Sequence, residues 1–115
     1  MLRIIVWCLP VEKEAAYNRL HQALVEIAKK AKALGVEGED DMLCLFPGDL
    51  MEYGLGQEIV FEAKGRCLTR LSNPMGKRLA KAWGGAIKQL YPDANIEGEV
   101  RTSSGLAYWS SREEE

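Results

Sequence analysis

Glu58-Ile59-Val60-Phe61-Glu62-Ala63-Lys64 is the stretch whose reading decides the fold. It is a strand by composition, rich in β-branched and aromatic residues, and it opens a second copy of a pattern already present upstream. Downstream of it, Asn73-Pro74 reads as a helix start, Asn73 as N-cap with proline at the first helical position. Met75, Leu79, Trp83, Ile87 and Leu90 then mark one helical face that stops before Pro92-Asp93. Ile96 to Thr102 follows as a strand, and Gly105 to Trp109 as a short last one. Upstream the order is the same. Residues 1–9 are rich in Ile, Val, Leu and Trp without clean alternation, the look of a strand covered on both faces. From Glu12 the period becomes helical, with Tyr17, Leu20, Leu24, Ile27, Ala31 and Leu34 on one face and Gly35 where a C-terminal cap belongs. Met42 to Phe46 is the next strand, stopped by Pro47-Gly48, and Asp49 to Gln57 is a loop.

The element order is therefore β-α-β-β-α-β plus a short C-terminal strand, an α+β fold of two βαβ units. Two arrangements share that order. One is the ferredoxin-like split βαβ; in the other the two halves pack about a pseudo-two-fold axis. The 115 residues, 47% of them apolar, suit one domain over 1–111 with an acidic tail at 112–115. At this size folding buries about two-thirds of the surface that the unfolded chain exposes, so a flat sheet face can be left for a partner.

A formal charge of −2 speaks against a chain-wide nucleic-acid or membrane-surface footprint. The strand at 58–64 also lacks the paired aromatics on which sheets stack bases, with Phe61 alone available. No apolar run approaches the roughly 18 residues of a bilayer-spanning helix. Cys8, Cys44 and Cys67 are an odd set without CxxC spacing, so neither a disulfide framework nor a zinc site is indicated and a reducing cytoplasmic setting is the default. No motif asks for a cofactor or a metal: His21 is the sole histidine, and Gly54-Leu55-Gly56 has no third glycine and no helix after it. Cys44 reads as core, and Cys67 as structural despite its neighbour Arg66.

The charge that is present is unevenly spread. From Ala63 to Pro92 the chain carries Lys64, Arg66, Arg70, Lys77, Arg78, Lys81 and Lys88 and no acidic residue. The cations of the helix read as a solvated face. Arg66 and Arg70 lie in the loop between strand and helix, where a guanidinium fork meets a carboxylate bidentately. Gly84-Gly85 inside the second helix costs roughly 1 kcal/mol per glycine relative to alanine, which points to a close approach of that helix to the sheet or to a neighbouring element. Trp7 and Trp83 read as core. Tyr53, Tyr108 and Trp109 read as lining an interface or pocket, because a terminal strand needs something to pair with.

Leu45-Phe46-Pro47-Gly48-Asp49-Leu50-Met51-Glu52-Tyr53-Gly54, the strand Ile59 to Ala63 running into Lys64-Gly65-Arg66, and the terminal Gly105 to Trp109 with Ser110 resemble the tautomerase superfamily. The likeness is to its macrophage migration inhibitory factor-like (MIF-like) branch and to its small bacterial isomerases. The resemblance covers the element order of almost the whole chain and implies a homotrimer whose sheets form a central barrel, with an active site between subunits near the N-terminus. It implies keto–enol chemistry on a small carboxylate-bearing substrate, with an N-terminal proline as the base. A secondary amine in an apolar, cation-lined pocket is neutral near pH 7, because desolvation and positive neighbours disfavour its charged form. Here position 2 is Leu2, so the family's base is absent and catalysis is altered or lost; the Met1 α-amine is the remaining group of that kind. Gly35-Val36 stands where the MIF-like branch has a lysine after the first helix, and Ile96 where it has a tyrosine. By the same resemblance Arg66 and Arg70 fall where related branches bind substrate carboxylate and Trp109 falls at a pocket edge; Arg101 on the last strand is a third candidate, with a strand-edge ion pair as its other reading, and Tyr53 in the loop is a further contact by its position. A non-catalytic trimeric ligand-binding domain of the same fold is the alternative.

Overall fold

Leu2–Trp7 forms strand β1 with an alternating pattern: Leu2, Ile4 and Val6 are buried, Arg3 and Trp7 exposed. The computed structural model describes residues 2–10, 13–47 and 58–114. Its remaining elements are α1 (Glu14–Lys30), β2 (Met42–Leu45), β3 (Glu58–Lys64), α2 (Asn73–Leu90), β4 (Asn95–Thr102) and β5 (Gly105–Ser110). They make one mixed sheet in the order β2-β1-β3-β4-β5 with two helices, an α+β fold. Each βαβ half keeps its parallel strands side by side, β1 with β2 from Leu2↔Met42 and β3 with β4 from Glu58↔Asn95. The halves join antiparallel through β1 and β3, from Arg3↔Lys64 to Trp7↔Val60. That adjacency excludes the split βαβ, in which another strand separates the parallel pair.

Both helices lie on one face of the sheet. Leu20, Leu24, Val25 and Ala28 of α1 and Leu79, Ala80, Trp83 and Ile87 of α2 are buried with Ile59, Phe61, Ala63, Ile96, Val100 and Ala107 of the strands. Trp83, fully buried, donates its indole N–H to the Leu24 carbonyl at 3.0 Å, tying α2 to α1 and satisfying the one polar atom it takes into the core. The close approach expected at Gly84-Gly85 occurs at Gly84 alone. A Cβ there would overlap the Trp109 ring, whereas Gly85 has open space beside it. Gly98 is matched in the same way to the Phe61 ring, and Gly76 to Thr102 and Ala107.

Five expectations change. β1 is covered on one face, not both, so Trp7 is 42% exposed on the open side and is no core residue. The first helix ends at Lys30 rather than Leu34: Ala31 leaves helical geometry, a 3-10 turn at Lys32–Leu34 follows, and Gly35 closes that turn at φ +71°, which turns Leu34 and Val36 into the core. Ser72, not Asn73, caps α2, its hydroxyl accepting from Met75 N–H at 3.5 Å; the Asn73 carboxamide oxygen instead accepts from Thr102 Oγ1 at 3.3 Å. β5 finds its partner within the chain, in an antiparallel hairpin with β4. The chain is tied to the sheet where the tail was expected to begin: Arg112, though exposed, pairs with Glu58 while Ser111 accepts from Ile96 N–H at 3.0 Å.

Candidate functional site

The register fixes what meets at one end of the sheet. β1 begins at Leu2 beside Met42, so Asp41 precedes its neighbour there; β3 runs the other way and delivers Lys64, then Gly65 and Arg66, to the same end. A cavity of about 300 Å³ lies at this end. Leu2, Leu34 and Val36 supply its apolar wall, and Arg66, Arg70 and Asp41 its charged groups, with Cys67 between the arginines. The 3-10 turn Leu68–Arg70 carries Arg70 just beyond Arg66, and Leu68, fully buried, anchors the turn. Thr69 Oγ1 donates to the Arg66 carbonyl at 2.7 Å and closes the loop locally.

Both arginines are exposed, and among the described residues neither side chain makes an ion pair or hydrogen bond. Asp41 makes no ion pair with them: its Oδ2 accepts from the backbone N–H groups of Glu37 at 3.0 Å and Gly38 at 3.3 Å, which holds the loop leading into β2. The site thus presents two unpartnered guanidinium groups above an apolar wall, the donor set for a planar carboxylate on a small carbon skeleton.

The other sequence-designated residues lie elsewhere. Arg101 is on the open face of the sheet, opposite Leu106. Trp109 is half-buried on the helix-covered face against Gly84, so it packs the domain and does not rim the cavity. Met1 and Tyr53 fall outside the described residues. Asp41 and the Leu34–Val36 wall were not singled out by sequence, because nothing local tells an acidic turn that it will stand beside a strand end sixty residues from its other neighbour.

A larger cavity, about 360 Å³, sits at the opposite end, between Cys8, Ile59, Tyr91 and Pro92. It is mostly apolar, and its charged lining residues are acids, Glu58, which pairs with Arg112, and the exposed Asp93, so it offers no cation of the kind the arginine cavity has. Cys44 lies against the core and burial pushes its thiol up to about 12, which keeps it protonated and unreactive at neutral pH. Among the described residues no group of three or more His, Cys, Asp or Glu could hold a metal ion, and no helix is long and apolar enough to cross a membrane. Compared with known proteins, the sequence matches no family model and no curated protein.

Proposed function

We propose that the cavity at the start of β1 binds a small carboxylate-bearing molecule, held by Arg66 and Arg70, in a subunit of the tautomerase type. The observation that carries this is the convergence of two unpaired guanidinium groups on the first strand's beginning. The strand order supports the assignment of type: two adjacent parallel pairs joined antiparallel are what two βαβ halves about a pseudo-two-fold axis require.

Binding is the first reading and turnover the second. The guanidinium pair neutralises the carboxylate of an enol acid, and a base near Leu2 moves the proton between the enol oxygen and carbon. Leu2 stands where the resembled family has its proline base, which favours a domain that binds without efficient catalysis. The test is titration with phenylpyruvate, read as affinity and as the rate of enol–keto conversion. Each charge-assisted contact contributes roughly 1.5–3 kcal/mol, so Arg66→Ala and Arg70→Ala are each expected to weaken binding about tenfold or more. Affinity indifferent to both substitutions overturns the reading. Turnover that both arginines and a free N-terminus support would establish the isomerase form.

The assembly belongs to the same proposal. The uncovered sheet face carries an apolar strip on one side, Ile5, Trp7, Leu43, Leu45 and Val60, and another on β5, Leu106 and Tyr108. Between them runs a charged strip of Lys64, Glu62, Arg101, Glu99 and Glu97. Packing two such faces flat together would bury those charges. Setting the first apolar strip of one copy on the second strip of the next buries apolar surface and leaves the charges in water, a head-to-tail contact that closes as a ring, and the tautomerase type makes that ring a trimer.

A further inference from the structure

Arg101, separated from the cavity, has other neighbours. Arg3 and Lys64 are directly opposite one another in the β1–β3 ladder. Continuing the β3–β4 register one step past Ala63↔Val100 sets Lys64 beside Arg101. The three cations therefore form a single row across the open face of three neighbouring strands, flanked by Leu43 on β2 and Leu106 on β5. Arg3 and Arg101 are exposed and Lys64 half-buried, and among the described residues none of the three side chains has an ion-pair or hydrogen-bond partner. Like charges directly opposite on a sheet face are destabilising, and here two such juxtapositions are adjacent. Glu62 and Glu99 stand in the next row of the same face but do not bridge to the cations.

We infer that this row is a second anion site, distinct from the Arg66/Arg70 cavity, for a short multivalent oxyanion lying across the strands. Strand spacing puts the backbones of successive cations about 4.8 Å apart, so the row extends over two strand spacings; a chain of two or three linked anionic groups meets it and a single small anion meets only part of it. Guanidinium groups at both ends favour bidentate oxyanion contacts. The ligand is short because leucines close both ends of the row and the neighbouring carboxylates repel an anion that extends along the strands. This site does not rest on the proposed function of the cavity.

The experiment is titration of the full chain at low salt with tripolyphosphate, glutarate and inorganic phosphate, followed by calorimetry. Tripolyphosphate or glutarate is expected to bind at least tenfold more tightly than inorganic phosphate, the better of the two identifying the phosphate or carboxylate form of the ligand. Arg3→Ala, Lys64→Ala and Arg101→Ala should each weaken that binding severalfold, with unchanged circular dichroism. Arg66→Ala with Arg70→Ala should leave it intact while abolishing phenylpyruvate binding, so the two sites fail independently. No preference for the longer anions, or binding that survives loss of the row but not of the cavity arginines, overturns the inference.

Discussion

At Cys44 a single atom reports how the half-buried edge of the core is built. The folded chain holds the thiol proton up to about 12, against an ordinary value of 9.0, because burial penalises the thiolate. The raised value contributes stability that is fully present below pH 9 and is lost as pH rises from 9 towards 12, where the unfolded chain releases the proton and the folded one does not. Urea unfolding of the wild type is expected to lose midpoint between pH 9 and 11 more steeply than Cys44→Ala does; parallel slopes would refute the assignment. Residues of one chemical type also show where sequence stops being informative. Trp83 sits among apolar residues at helical spacing, and its burial is legible from the sequence. Trp7 has equally apolar neighbours, yet which face of a strand meets the helices is decided by elements far along the chain, so its exposure is not legible locally.

Among the elements, α2 and the sheet are fitted through glycines that the sequence marks only in part. Two consecutive glycines signal a close approach, but their positions differ by one helical step, about 100°, which separates contact from solvent. Gly84→Ala forces a Cβ into the Trp109 ring and should destabilise by about 1–3 kcal/mol. Gly85→Ala meets nothing and should stabilise by up to about 1 kcal/mol through helix propensity. Thermal unfolding of the two variants checks the pair, and equal effects would show that Trp109 does not lie against α2. All seven elements were legible in the sequence, the helices from their period and the strands from apolar or β-branched runs bounded by turn residues. Their caps were less so: Ser72 and Asn73 are both capable N-caps, and Thr102, from a strand 29 residues on, engages Asn73. Of the candidate site, Arg66 and Arg70 were named from their place between strand and helix, and both line one cavity. Arg101 and Trp109 were assigned by chain position, and register and face then separated them from the cavity.

For the whole molecule, the uncovered sheet face is the feature with the widest reach. If copies close a ring through its two apolar strips, Leu106→Lys, which charges β5 without touching the core, should convert the trimer to monomer in light scattering, while the helix content is unchanged. A wild type that is monomeric at micromolar concentration would remove the ring from the proposal and leave the anion sites standing. The position of β1 has a further consequence, in time rather than in space. Both of its neighbours lie downstream, β2 from Met42 and β3 from Glu58. During synthesis Leu2, Ile4 and Val6 leave the ribosome with no strand to receive them. The first βαβ half offers two strands and one helix, too little to close a core around Trp83, which is contributed by the second half. The seam between β1 and β3 therefore forms late, once Lys64 has emerged. A strand apolar at every position but Arg3 is the one that must wait longest for its partners, which makes the interval before Lys64 appears the nascent chain's period of greatest risk of aggregation.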